Sequence, residues 1–225
     1  IDATDSGAGG NISIFGAFAS GTVGAGRAIG GDTSSIQTDG DGTISLTGDA
    51  TNSGNTGDSA WGLQFTSLTL QSENGAISID GTGGATSDNS RGLAVDGGTL
   101  KLLSDSGSIT ITDNEPVGYQ GDYSGLLLRP GVTGAIVFGA EGSNASSSDI
   151  TIQADMFTFD SVATEFDTSG SLTIEPVSAS FASDQRFQNV DLASTVSGLT
   201  LGRAGNTAGM TLAASDTIAG SVNVY

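Results

Sequence analysis

The first residues that could do chemistry are the acids of DGDGTIS, residues 39–45, whose letters match a calcium-binding EF-hand loop. Such a loop takes its outer ligands from positions 1 and 12 and lies between two helices. With Asp39 and Asp41 at positions 3 and 5, position 1 is Gln37 and position 12 is Gly48, so both outer ligands are wrong. The flanking segments are rich in Gly and carry no apolar face at helical spacing. The segment is therefore predicted to be a turn.

Similar acids recur at the same place before later strands. Asp39, Glu73 and Asp105 occupy one predicted corner, and Glu141 would extend the column. Like charges about 4.8 Å apart repel each other unless water or a cation lies between them. Two interpretations stay open, a solvated acidic corner without any cofactor and a corner that binds calcium weakly between coils.

Three large side chains form a second candidate site. Arg27, Trp61 and Arg91 each stand at the start of an apolar segment, so on adjacent coils they would stack with cation–π character. One interpretation is an outward ladder that covers Gly-rich backbone, and the other is a surface that contacts a glycan or a partner protein. We take Arg27, Trp61 and Arg91 as the candidate contact residues.

Catalysis is restricted by composition, because the chain has no His and no Cys. Nucleophiles that need a His base, and zinc sites built from His or Cys, are thereby excluded. Paired carboxylates alone suffice for glycoside hydrolysis, but no cluster of Asp, Lys and Arg recurs on one predicted strand face. We expect no enzyme, no catalytic residue, no metal and no cofactor, and a carbohydrate-active β-helix is the least favoured alternative.

Net charge excludes another class of partner. The 225 residues include 25 acidic and 6 basic ones, for a formal charge of -19. Phosphate backbones are held mainly by Lys and Arg, so nucleic acid is not an expected partner.

Membrane insertion is not expected either, because no apolar run approaches the length of a membrane-spanning helix, about 18 residues or more.

An apolar-polar-apolar motif preceded by Gly, Asn or Asp organises the whole chain. Its leading Ile falls at Ile12, Ile44, Ile77 and Ile109, a regular repeat in the range of about 20–50 residues that is typical of solenoids. Two more apolar segments recur in each period. WGLQF, RGLAV and SGLLL, from residues 61, 91 and 124, form a second column, and SLTL, TLKL and AIVF, from residues 67, 99 and 135, form a third. This pattern predicts an all-β fold, a parallel β-helix with three strands per coil.

Alternation along each strand predicts which side chains face the core. Ile44 and Leu46 should point inward and Ser45 outward, because successive side chains alternate across a strand. The same pattern places inward Ile77, Ile79, Ile109 and Ile111 and outward Ser78 and Thr110. A single coil cannot bury its own apolar side, so the coils must stack.

The coils fall into two parts of one domain, residues 1–225. They are regular over 1–149 and looser over 150–225, and they number roughly seven. Strands that begin near 198, 209 and 220 are evenly spaced, and the three together should make one further coil. Residues 177–197 lack Gly and Pro and have room for one helical turn. Projecting loops are expected at 16–27, 48–60, 81–90 and 113–123.

The C-terminal segment 166–225 carries a resemblance. Its SGLTLGRAGNTA followed by IAGSVNVY resembles a unit of the filamentous-haemagglutinin-like adhesins, large repetitive β-helical exoproteins of two-partner secretion in Gram-negative bacteria. The earlier segments GAISIDGTGG and GSITITD are similar in style. The resemblance implies a right-handed parallel β-helix and a place in a long surface or secreted fibre outside a Gram-negative cell.

These observations favour a structural and adhesive role. We expect a fragment of a longer chain that extends a fibre and presents loops and side-chain ladders to a host or environmental surface, glycan or protein. The alternative is a subunit that associates end to end into an extracellular filament or sheath, because strand-like segments at both ends would offer open edges.

Overall fold

The computed structural model describes residues 1–3, 9–18, 26–51, 59–84, 90–114, 125–129, 134–141, 145–159, 164–188, 190–213 and 217–225. These residues form strands, turns and bends, with no helix among them. All of their strand pairs are parallel. The all-β prediction is confirmed for this part of the chain. No helix long and apolar enough to cross a bilayer occurs in it.

An eight-stranded sheet contains the first predicted column. Its strands, in spatial order, are β2 (Ile12–Ala17), β4 (Ile44–Asp49), β6 (Ile77–Thr82), β9 (Ile109–Asn114), β12 (Ile150–Ala154), β15 (Ser171–Glu175), β18 (Gly198–Leu201) and β20 (Ser221–Val224). Ile12 lies opposite Ile44, which lies opposite Ile77, which lies opposite Ile109. The register that the sequence repeat predicts for these four strands is therefore confirmed.

A ten-stranded sheet contains the second and third columns. Its strands are β1 (Asp2–Ala3), β3 (Gly26–Thr38), β5 (Ala60–Ser72), β7 (Arg91–Asp96), β8 (Leu100–Ser104), β10 (Leu126–Arg129), β11 (Ile136–Gly139), β13 (Phe157–Phe159), β14 (Thr164–Asp167) and β17 (Val190–Leu192). The first half of β5 pairs with β7 and its second half with β8. The two columns are thus one continuous strand in β3 and β5, and they separate at Gly97, whose φ is 96°.

The C-terminal part differs from the expectation. β16 (Gln185–Gln188) and β19 (Met210–Ala213) form a separate two-stranded sheet. β20 pairs directly with β18, with Leu199 opposite Val222, so these two strands belong to successive steps of the stack and not to one coil. The strand near 209 belongs to neither large sheet. The described residues of 177–197 contain strands, turns and bends but no helical turn.

Side chains along the strands of the eight-stranded sheet, from β2 to β18, alternate between the core and the outer face. Ile44, Leu46, Ile77 and Ile79 are at most 1% exposed, and Ser45 between the first two is half-buried, as alternation predicts. The rings of Phe138 and Phe166, on the opposing strands β11 and β14, stack with centroids 4.9 Å apart. One apolar column therefore runs inside the sheets.

The long parallel sheets are compatible with a β-helix. Strands β2, β4, β6 and β9 extend into all four predicted loop segments, and β3 begins at Gly26 within the first of them. The middle portions of those segments lie outside the described residues. The number of residues between paired strands changes after Ile109, because its partner Ile150 lies further along the chain than the regular period would place it.

Candidate functional site

The calcium-like letters form a turn, as predicted. Gly40 has a φ of 54°, a left-handed conformation that Gly adopts without steric cost. Its amide donates a 2.8 Å hydrogen bond to Oε2 of Glu73, one corner further along the stack. The carboxylate of Glu73 thus satisfies a main-chain donor of the turn.

The acids at this corner do stack. The amide of Asn74 donates to the carbonyl of Gly40, and the amide of Asp105 donates to the carbonyl of Glu73, each over 2.8 Å. These bonds place the corners of Asp39, Glu73 and Asp105 next to one another. Glu73 and Asp105 are exposed. Within the described ranges, no group of three or more acidic side chains could hold a metal ion. The solvated corner and the weakly calcium-binding corner both stay predictions.

Glu141 does not extend the acidic column. The amide of Ser147 donates a 2.7 Å bond to the carbonyl of Asp105, so a serine corner occupies the fourth place. Oε1 of Glu141 accepts a hydrogen bond from Nζ of Lys101 in an ion pair. The period is longer here than in the preceding coils, since Ile109 pairs with Ile150, and the added length moves Glu141 away from the corner.

A column of hydroxyls, most of them buried, lies at the same corner and was not predicted from the sequence. The Ser72 hydroxyl donates to the carbonyl of Gly42 (2.8 Å) and accepts from the amide of Gly75 (2.9 Å). Ser104 repeats this pattern with the carbonyl of Gly75 (3.3 Å) and the amide of Gly107 (3.0 Å). The sequence pattern that could have predicted this column is a Ser three positions before a corner Gly. The column continues with the buried Ser146, Ser148 and Thr168 and ends at Thr195, which is exposed.

A buried carboxylate, also missed, joins the two large sheets. Asp113 of β9 is fully buried, and its oxygens accept from the amides of Gly92 (3.3 Å) and Leu93 (2.7 Å) of β7. Gly48 and Gly81 occupy the equivalent inward position in the two preceding strands. The sequence pattern that could have predicted this contact is an Asp at a position where the two preceding strands have Gly.

Arg27, Trp61 and Arg91 lie opposite one another on β3, β5 and β7, as predicted. Their exposure differs, however. Arg27 is exposed and Trp61 is half-buried, whereas Arg91 is only 4% exposed and its Nη1 donates a 3.0 Å bond to the carbonyl of Gly125. Arg91 is therefore not at the surface with the other two, and the outward ladder consists of Arg27 and Trp61.

A groove of about 340 Å³ lies beside this pair. Gly26, Arg27, Ser59, Trp61 and Gln64 line it, and we call it the Arg27 groove. Nη1 of Arg27 donates a 2.9 Å bond to Oε1 of Gln64, which positions the guanidinium at the groove. The site therefore combines a cation, an indole ring and an amide.

The outer face of the eight-stranded sheet carries a polar ladder without charge, which we call the outer ladder. Its hydroxyls have no hydrogen-bond partner among the described residues, unlike the hydroxyls at the corner. The members of the outer ladder are Ser13, Ser45, Ser78, Thr110, Thr151, Thr173, Thr200 and Asn223.

Acids meet on the ten-stranded sheet as well. Glu165 of β14 lies opposite Asp191 of β17. Burial raises the pKa of Glu165, and the negative charges of Asp167, Asp191 and Glu141 raise that pKa further. Sequence patterns do not predict this acid pair, because the period is irregular in this part of the chain. None of these acids lines the Arg27 groove.

Comparison of the chain with known protein families, curated proteins and solved structures finds no match. The candidate site is therefore judged on its own geometry.

Proposed function

We propose that this chain is a structural and adhesive segment of a bacterial cell-surface or secreted fibre. In this proposal the sheets form a right-handed parallel β-helix with three strands per coil and roughly seven coils. The observation that carries it is the eight-stranded parallel sheet, in which the seven strands from β2 to β18 contribute side chains to the same apolar core. Eight strands at about 4.8 Å spacing extend over roughly 34 Å, and further repeats would lengthen the rod.

The surface of the rod supports attachment. The outer ladder is an array of uncharged polar side chains whose hydroxyls have no partner in the described part of the chain, and the Arg27 groove adds a recess near one end of the ten-stranded sheet. A net charge of -19 suits a protein exposed to a saline exterior, where salt screens self-repulsion. The resemblance of residues 166–225 to filamentous-haemagglutinin-like exoproteins is in line with a Gram-negative outer surface.

Bead retention under flow tests the adhesive role. Beads that carry the folded chain should remain on at least one film among acidic polysaccharide, neutral polysaccharide and host-type glycoprotein. Beads that carry a heat-unfolded sample of the same chain have the same composition and charge and serve as the control. Equal retention of both kinds of bead on every film would refute an adhesive role for the fold.

End-to-end association of copies is the second candidate function. Val222 and Val224 of β20 are 53% and 61% exposed, although their neighbours Leu199 and Leu201 on β18 are buried. Another strand on this edge would cover the two valines. Sedimentation over a range of protein concentrations tests this alternative. Growth into fibres that Val222→Lys with Val224→Lys abolishes would support it, and a monomer at all concentrations would exclude it.

A further inference from the structure

Arg27 differs from most other basic side chains of this acidic protein in what it contacts. Lys101 forms an ion pair with Glu141, and Arg129 forms one with Asp96. The side-chain hydrogen bonds from Arg129 hold the pKa of Asp96 below its usual value. Within the described ranges, the guanidinium of Arg27 donates only to the neutral amide of Gln64.

Two further arginines, Arg91 and Arg203, donate hydrogen bonds to main-chain carbonyl groups. Arg91 donates to the carbonyl of Gly125, and Arg203 donates to the carbonyls of Pro176, Val177 and Ser178. Arg27 is thus an exposed guanidinium without a carboxylate partner among the described residues, in a chain with 25 acidic side chains.

The rest of the Arg27 groove limits what could bind there. Trp61 offers an aromatic face, which suits the apolar face of a sugar ring. The Gln64 amide and the Ser59 hydroxyl are groups that can bond sugar hydroxyls. A volume of about 340 Å³ lies at the lower end of the range for small-ligand sites, which matches one or two sugar units better than a folded protein surface.

We propose that the Arg27 groove binds a carboxylated sugar, with the guanidinium of Arg27 on the sugar carboxylate and the ring of Trp61 against the sugar face. Guanidinium and carboxylate groups make charge-assisted, often bidentate hydrogen bonds. This inference rests on the proposed adhesive function for its biological meaning. The carboxylated sugar can be a uronate of an environmental polysaccharide or a sialic acid of a host glycan, and the experiment separates the two sources.

The overall charge of -19 does not prevent such binding. At physiological ionic strength the Debye length is about 8 Å, so distant carboxylates are screened. No Asp or Glu is among the described residues that line the groove. The described lining of the groove therefore places no like charge beside an anion at the guanidinium.

Calorimetric titration of the intact chain tests the inference. The probes are oligogalacturonate, sialyllactose and a neutral maltooligosaccharide. We expect at least one acidic probe to bind at least about tenfold more tightly than the neutral one, because a hydrogen bond to a charged group is worth that much. The acidic probe that binds identifies the source of the sugar.

Two variants and a matched control locate the site. Arg27→Gln should weaken binding of the acidic probe at least about tenfold, and Trp61→Ala about threefold to tenfold. Arg129→Gln removes the same charge at a paired position and should leave the affinity unchanged. Circular dichroism verifies that each variant keeps the fold.

Three results would overturn the inference: neither acidic sugar binds, the neutral probe binds equally well, or Arg27→Gln binds as the wild type does. Failure here is distinct from failure of the adhesive function. Wild-type beads that are retained on a film while neither acidic sugar binds would refute the Arg27 groove alone. Unretained wild-type beads with intact sugar binding would refute only the adhesive role.

Discussion

Hydroxyl side chains have two roles in this protein, and their position relative to the core decides which. Ser72, at the corner, is 2% exposed and bonds a carbonyl and an amide of neighbouring turns. Ser78, on the outer ladder, is half-buried and makes no protein hydrogen bond in the described structure. The first hydroxyl stabilises the stack, whereas the second is available to solvent or to a ligand.

Substitution of these two serines should separate the roles. Ser72→Ala leaves the carbonyl of Gly42 and the amide of Gly75 without their partner and should lower the free energy of unfolding by about 1–3 kcal/mol. Ser78→Ala, the matched control, should change it by less than about 0.5 kcal/mol. Urea denaturation measures both. Equal effects of the two substitutions would contradict the distinction.

Two aspartates should respond to pH in opposite ways. Burial raises the pKa of Asp80, the Asn114 hydrogen bond opposes this, and Asp49 raises it further. The ionised carboxylate thus destabilises the fold at neutral pH, and the penalty disappears as pH falls through the raised pKa to below 3.8. Asp80→Asn should therefore stabilise the protein at pH 7, by less than about 1 kcal/mol because solvent reaches the site, and have no effect at low pH.

Asp149 is the matched control for that experiment. Hydrogen bonds from the amide and hydroxyl of Ser171 lower the pKa of Asp149. Its stabilisation is present above 3.8 and is lost as pH falls through the lowered pKa. Asp149→Asn should therefore destabilise the protein at pH 7. Thermal unfolding at several pH values measures both variants, and shifts of the same sign at pH 7 would disprove this assignment.

At the scale of elements, the corner glycines permit the strands to stack. A Cβ on Gly75 would lie 1.9 Å from the carbonyl oxygen of Gly42, and one on Gly107 would lie 2.1 Å from that of Gly75. Neither glycine has a positive φ. Close backbone approach is therefore the reason for glycine at these two positions, whereas at Gly40 of the same corner the φ is positive.

A pair of Gly to Ala substitutions tests the close approach. Gly75→Ala forces the turns apart and should cost about 1–3 kcal/mol or more in the free energy of unfolding. At Gly198 the nearest atom to an added Cβ is 3.6 Å away, the oxygen of Ser221, so Gly198→Ala should have little effect. Chemical denaturation compares the two. If Gly75→Ala is as stable as the wild type, the turns are not packed as described.

Sequence patterns predicted the elements where the period is constant and failed where it changes. Ile44, Ile77 and Ile109 were identified as inward because apolar alternation has one consistent partner in each coil. β19 was misplaced because a short alternating segment does not show which neighbour it pairs with. Arg91 was assigned to the outward ladder from its place at the start of an apolar segment, and the carbonyl of Gly125 that binds it is distant in sequence.

At the scale of the whole molecule, parallel strands stack one after another along a single axis. Ser45, Thr151, Thr173 and Thr200 belong to β4, β12, β15 and β18, so their separations from Ser45 should grow with the number of intervening strands. If these four strands did not follow one another in this order within one sheet, the distances would not grow in this way. The distances therefore test the order in which the strands stack.

The most direct measurement is a set of electron-spin distances between labelled cysteines. The chain has no native Cys, so a pair introduced at two outer-ladder positions is labelled uniquely. From Ser45→Cys, the distances to Thr151→Cys, Thr173→Cys and Thr200→Cys should be about 14, 19 and 24 Å, one step of about 4.8 Å per strand. Distances that do not increase in this order would contradict the stacked rod and remove the structural basis for a fibre.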